Sequence, residues 1–184
     1  MDSEERKKAE EALKKKRCYG VFLTESEITP YMRFLEGSLR PSMHNFIECN
    51  EQKRSMNSDW TSFVEINELV ANKVQQIRMQ VGADIVWIHD LQYLLIPQHL
   101  RRANLKNPPK IGFYFHSSFP ASAVFMTFPR RNEILKSLLN ADVIGFHIWE
   151  YARNFVNTAS RLLGLTYELS LGNTIQVEFD KRSV

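Results

Sequence analysis

Three apolar runs in this chain each stop at a histidine: Val86-Trp87-Ile88-His89, Phe113-Tyr114-Phe115-His116 and Val143-Ile144-Gly145-Phe146-His147. Runs of this length, separated by stretches of helical spacing, are the pattern of strands buried in a parallel sheet. In such a sheet the ligand crevice lies outside the carboxyl ends of the strands. His89, the adjoining Asp90, His116 and His147 are therefore expected on one rim of one sheet. No other feature of the chain limits its fold as tightly.

The segments around these runs fit a repeating strand-helix order. Asp84–Ile88, Lys110–Phe115 and Asp142–Phe146 are expected as strands, and Tyr93–Arg102, Arg131–Leu139 and Trp149–Leu163 as helices, the last ended by Gly164. That order implies a parallel sheet with right-handed crossovers. Upstream, Trp60, Phe63, Val64, Asn67, Val70, Val74, Ile77 and Val81 recur at mostly helical spacing, which predicts one long amphipathic helix from about Ser58 to about Gln80, closed by Gly82. Thr24-Glu25-Ser26-Glu27 has the form of a capping box. The helix it opens carries Tyr31 and Phe34, with Pro30 placed near the first turn. Tyr19–Leu23 reads as a short strand, and Glu48–Asn57 as a polar loop. Near the end, Thr166–Leu169 and Thr174–Phe179 flank Gly172-Asn173 as a hairpin.

With 184 residues, 43% of them hydrophobic, the chain can bury the core of one domain. The formal charge of +3 is concentrated at the front, among Arg6, Lys7, Lys8, Lys14, Lys15, Lys16 and Arg17. Residues 1–18 are expected as a solvated, weakly attached helix or extension, and 19–184 as the folded unit. Neither a nucleic acid nor a membrane is expected as a partner. No apolar run reaches the length of a transmembrane helix. Two cysteines without metal-like spacing, Cys18 and Cys49, suit a reducing compartment, so a cytoplasmic location is expected.

The rim residues admit competing roles. Asp90 can accept hydrogen bonds from substrate hydroxyls, or it can cap the helix that follows. His116, beside Ser117 and Ser118, can donate to a sugar hydroxyl or a developing charge, or it can serve the structure alone. His89, His116 and His147 could converge on a metal, yet none belongs to a tight ligand pair, and no metal or other cofactor is expected. Arg130 and Arg131 suit either a phosphate or a solvated helix start. Glycine-rich phosphate loops and the Gly-x-Ser-x-Gly elbow are absent from the sequence.

Several long motifs, in order, resemble the trehalose-6-phosphate synthases. They are Val86-Trp87-Ile88-His89-Asp90, Leu94-Leu95-Ile96-Pro97-Gln98-His99-Leu100-Arg101-Arg102, Ile111–Pro120, Asn140–His147, Tyr151-Ala152-Arg153-Asn154-Phe155 and Ser160–Leu165. The resemblance runs from about Gly20 onward and favours long eukaryotic, plant-like forms. It implies a Rossmann-like parallel sheet flanked by helices, as one incomplete half of a two-domain GT-B glycosyltransferase. The family reaction is retaining glucose transfer from UDP-glucose to glucose-6-phosphate. By position, Asp90 and Tyr31 fall on acceptor-contacting residues, and His116 on a histidine that touches the transferred sugar.

Departures from the family pattern accompany the match. Leu39-Arg40-Pro41 stands where the family has Leu-Trp-Pro, so Arg40 replaces an aromatic wall with a cation suited at best to phosphate. His89-Asp90-Leu91-Gln92 stands for His-Asp-Tyr-His. The family's first strand, with its arginine and glycine pair, has no counterpart before Gly20, and the donor-binding domain has none in the chain. The resemblance thus implies an acceptor-side half that is inactive alone. A non-catalytic module that binds a sugar phosphate, or associates with a full-length synthase or with itself, is the alternative.

Overall fold

The computed structural model describes residues 3–45, 56–102, 107–170, 172 and 174–184. Its centre is a three-stranded parallel sheet in the order β1 (Ile85–His89), β2 (Lys110–Tyr114), β3 (Val143–Gly145). The register pairs Trp87 with Gly112 and His89 with Tyr114, and then Tyr114 with Gly145. The expected alternation of strand and helix is present. α4 (Met56–Val81) precedes β1, α5 (Ile96–Arg102) follows it, α7 (Arg131–Leu138) lies between β2 and β3, and α8 (Trp149–Leu163) follows β3. Gly82 and Gly164 end α4 and α8 at a φ of +70°, a conformation that costs glycine nothing.

One face of the sheet carries the core. Val86, Ile88, Ile111 and Phe113 are buried there against helices, together with Leu91, Leu94, Leu95, Ile134, Leu135 and Leu138. The opposite face is open: Ile85, Trp87 and Val143 are 65%, 53% and 57% exposed. A Cβ on Gly112 would lie 2.2 Å from the Trp87 ring, and one on Gly145 2.5 Å from the Tyr114 ring. The two glycines thus let aromatic rings lie flat across neighbouring strands.

The helical arm before α4 differs from the expectation. The Tyr19–Leu23 strand does not form: these residues are irregular and pair with no strand among the described residues. They cover the sparsely docked α1 (Ser3–Lys15) instead, with Arg6 over the Phe22 ring at 5.1 Å. The capping signal at Thr24 does hold: the Glu27 carboxylate accepts from the Thr24 amide at 2.7 Å and from its hydroxyl at 2.7 Å. α2 (Glu25–Phe34) then runs unbroken into a π-helical turn, Leu35–Leu39, and α3 (Arg40–Met43). Pro30 lies inside α2 and not in its first turn.

The helix expected from Tyr93 is divided into a 3-10 turn, Leu91–Tyr93, and α5. α6 (Ser122–Phe125), not foreseen, is a single turn that buries Phe125. The hairpin is present as β4 (Tyr167–Ser170) and β5 (Thr174–Phe179), extended by β6 (Arg182–Ser183). Among the described residues no helix is long and apolar enough to cross a membrane. Cys49 and most of the expected polar loop lie outside the described residues.

Candidate functional site

Asp90 ends β1 in an unusual backbone conformation, with φ +61° and ψ −173°. Such a backbone costs a non-glycine residue about 1–3 kcal/mol. It is held by the Asp90 amide donating to the Tyr114 carbonyl at 2.9 Å. The turn aims the carboxylate across at the loop after β2. Oδ1 accepts from the amides of His116 (3.2 Å) and Ser117 (3.0 Å), and Oδ2 accepts from the Ser117 hydroxyl at 3.1 Å. Asp90 therefore does not use its side chain to cap the following turn. A carboxylate offers about four lone-pair sites, so the three protein bonds leave about one, on Oδ2.

The histidines gather as the strand-end rule requires. His89 Nδ1 and His116 Nε2 are 2.9 Å apart, so one ring donates to the other. His116 and His147 stack edge to face at 5.6 Å, and Tyr114 lies between them, its hydroxyl 3.3 Å from His147 Nδ1. His89, Tyr114 and Gly145 belong to the open face of the sheet by register. The rings form a polar shelf at the top of that face. With His89 and His116 bonded to each other, the trio is not arranged as a ligand set, and no metal-holding group of three such side chains occurs among the described residues.

The helical arm closes the other side of the rim. Arg40 is gripped by Glu36 through two hydrogen bonds, at 2.7 and 3.1 Å. Those bonds, against a smaller opposing effect of burial, hold its pKa above the usual arginine value, and the Glu36 and Asp90 charges add weakly to the rise. Ser118 Oγ donates to the Met43 carbonyl at 2.9 Å and lies 3.3 Å from His44 Nδ1. The end of the arm is thereby tied to the loop after β2. His44 went unread in the sequence, as did its contact with Ser118, because nothing local links positions 74 residues apart.

Tyr31 sits lower. It is 7% exposed, stacks on Phe63, and donates from its hydroxyl to the Gln92 carbonyl at 3.1 Å. Burial, and secondarily the neighbouring Tyr93 and Glu36, push its pKa up. Its hydroxyl is engaged by the carbonyl of Gln92, two residues after Asp90. Asn67, fully buried on α4, supports the same turn by donating to Phe63 and Gln92 carbonyls and accepting from the Leu95 amide. Arg130 pairs with Glu133 and Asn57 over the Trp60 ring, and Arg131 donates to the Phe128 carbonyl. Both are engaged at the start of α7.

Comparisons with known proteins converge. The profile of glycosyltransferase family 20 matches residues 1–184. The UDP-forming alpha,alpha-trehalose-phosphate synthase 5 of Arabidopsis thaliana is 36% identical over 171 residues, covering 91% of this chain and 19% of the relative. The probable synthase 11 of the same plant is 34% identical and covers 100% of this chain and 21% of its own length. The N-terminal domain of Candida albicans trehalose-6-phosphate phosphatase superposes with a TM-score of 0.82 at 28% identity, over 100% of this chain and 38% of that one. A Burkholderia xenovorans synthase in complex with glucose-6-phosphate shares the fold, with a TM-score of 0.75 at 23% identity over 91% of this chain and 36% of its own. The chain thus spans about a fifth of the length of the curated relatives it matches.

Proposed function

The chain belongs to glycosyltransferase family 20, and from that premise we propose that its rim binds a hexose phosphate, glucose-6-phosphate, as the acceptor side of a trehalose-6-phosphate synthase-like transfer. The observation that carries this reading is the Asp90 carboxylate. It is locked by His116 and Ser117 with one acceptor site left over. A fixed carboxylate selects sugar hydroxyls, which must donate to it. Arg40 supplies charge for a phosphate. His116, exposed and bonded to His89 through Nε2, offers Nδ1 to the sugar.

Retaining transfer from UDP-glucose also needs cations preorganised on the leaving phosphates, where charge accumulates in the transition state. At this rim Arg40 is already paired with Glu36, so it offers only part of its charge to a phosphate. We therefore expect the chain alone to bind acceptor without transferring glucose. A cytoplasmic setting, where sugar phosphates are made, fits this role.

Titration calorimetry with glucose-6-phosphate tests the reading. The wild type is expected to bind, and Asp90→Ala to bind at least tenfold more weakly, since a hydrogen bond to a charged group contributes about 1.5–3 kcal/mol. Absence of heat with the wild type overturns the proposal. Release of UDP by the chain with both substrates overturns the claim that it does not transfer glucose alone.

A second reading, a non-catalytic module acting on a full-length synthase or on another copy, is favoured by one finding. The Candida albicans domain, which covers this whole chain, belongs to a protein named for phosphatase activity. The fold thus occurs in a protein that is not named a synthase.

A further inference from the structure

The loop after β2 is pinned at both ends. Phe115 and Phe119 are fully buried, and the Phe119 ring lies against Phe125 and Phe155. The Phe115 amide donates to the Gly145 carbonyl at 2.9 Å, and the Asn154 side-chain amide to the Phe119 carbonyl at 3.2 Å. Between the pins stand His116, Ser117 and Ser118. The first two give their amides to Asp90. The third meets the helical arm, where its hydroxyl donates to the Met43 carbonyl at 2.9 Å. A helix end leaves such carbonyls without an intrahelical donor, and Ser118 supplies one to α3. A hydroxyl has one proton, and a carbonyl can only accept. Towards His44, at 3.3 Å, Ser118 therefore accepts, and His44 Nδ1 carries the proton. Two consecutive residues of the arm thus use Ser118 in both directions, as donor and as acceptor.

We propose that Ser118 is a positioning residue for the acceptor, an inference that rests on the sugar-phosphate reading of the rim. Its hydroxyl is spent on the arm, so it acts through its neighbours. Holding Ser118 against Met43 and His44 sets the backbone of Ser117 and His116, and with it the direction of the two amides that fix the Asp90 carboxylate. The connection joins positions 75 residues apart, from Met43 to Ser118 and on to Asp90. Asp90 does not set this geometry by itself. Its backbone is held at φ +61°, a conformation that persists only where the surroundings over-determine it. Its carboxylate in turn takes its direction from the loop amides. The buried rings at Phe115 and Phe119 fix the ends of the loop and leave its middle to be placed by polar contacts. On one side that contact is Asp90, and on the other it is the arm.

Variants of the full chain test this. Ser118→Ala removes the clamp. The site is only part-buried, so water can reach the Met43 carbonyl, and far-UV circular dichroism should stay unchanged. Ser42→Ala is the control, since it removes a hydroxyl that bonds inside the arm, to the Ser38 carbonyl at 2.8 Å. In the free protein, NMR hydrogen exchange at the His116 and Ser117 amides should quicken in Ser118→Ala, as in Asp90→Ala, and keep the wild-type rate in Ser42→Ala. In calorimetry Ser118→Ala should bind glucose-6-phosphate about fivefold more weakly, the coupling expected between residues in one network. Added to Asp90→Ala it should cost nothing further, because a positioning residue loses its effect with the group it positions. A residue that only stabilises the fold weakens both backgrounds alike. Unchanged exchange or affinity in Ser118→Ala, an equal loss in Ser42→Ala, or an undiminished loss in the absence of Asp90 overturns the proposal. A wild type that gives no heat with glucose-6-phosphate overturns the sugar-phosphate reading instead, and the positioning of Asp90 by Ser118 is then decided by the amide exchange alone.

Discussion

At the scale of single residues, Asp90 carries two burdens that mutation can separate. Its backbone is strained and its carboxylate is the hub of the rim. Asp90→Gly relieves the first and Asp90→Ala does not, so the glycine variant is expected to be the more stable by about 1 kcal/mol in urea unfolding. Both lose the carboxylate, and calorimetry should find both equally weak for glucose-6-phosphate. Arg40 permits a complementary test. Glu36 holds its guanidinium by two bonds, and exposed pairs of this kind contribute up to about 1 kcal/mol. Glu36→Gln should free the cation and tighten glucose-6-phosphate severalfold, with glucose itself unaffected; equal affinities for wild type and variant would separate Arg40 from the phosphate. These residues were legible to different degrees. His89, Asp90, His116 and His147 could be placed together because a strand end is visible in one run of sequence. Arg40, noticed as a departure from a family motif, and Tyr31, noticed by alignment, had no visible partners. Tyr31 is packed on Phe63 and bonded to Gln92, contacts that span the fold.

At the scale of elements, what the sequence disclosed follows local pattern, and what it hid follows packing. Trp149–Leu163 is found at the expected bounds because an apolar stripe and a left-handed glycine mark it from within. Tyr19–Leu23 has a strand's composition yet pairs with no strand among the described residues. The π-helical turn at Leu35–Leu39 buries Leu35, Ser38 and Leu39, and it carries the arm on to the loop after β2, which no local signal requires. The joints between elements are polar and specific. Asn67 of α4 holds the turn after β1 through Gln92 and Leu95, so Asn67→Ala strands buried backbone groups and should cost about 1–3 kcal/mol in chemical unfolding. α5 contributes a pH dependence. Burial is the main cause that holds the His99 pKa below its ordinary value of 6.5, with Nε2 buried and unpartnered. A histidine depressed in the folded state takes up its proton more readily when unfolded. The stability it supports is therefore present above pH 6.5 and declines as pH falls below that value. In unfolding curves between pH 7.5 and 5, His99→Leu should flatten this decline relative to wild type. Parallel profiles would mean that His99 is not the group responsible.

At the scale of the whole molecule, the sheet is, among the described residues, buried on one side and open on the other. Parallel sheets are ordinarily covered on both faces, yet here Ile85, Trp87 and Val143 stand out from the open face around a flat floor at Gly112. A contiguous apolar face of this kind marks an interaction surface. The proposal that the chain associates with itself or with a larger relative belongs to this face. In sedimentation velocity across roughly 10 to 100 µM, the wild type should shift from monomer towards dimer, because burying apolar surface yields about 25 cal/mol per Å² before the cost of association. Trp87→Glu places a charge at the centre of the face, where a partner would have to desolvate it. Trp87 is half exposed and outside the core, so the variant should keep its thermal midpoint and remain monomeric. A wild type that stays monomeric throughout the range rules out association with a second copy and leaves a larger relative as the partner.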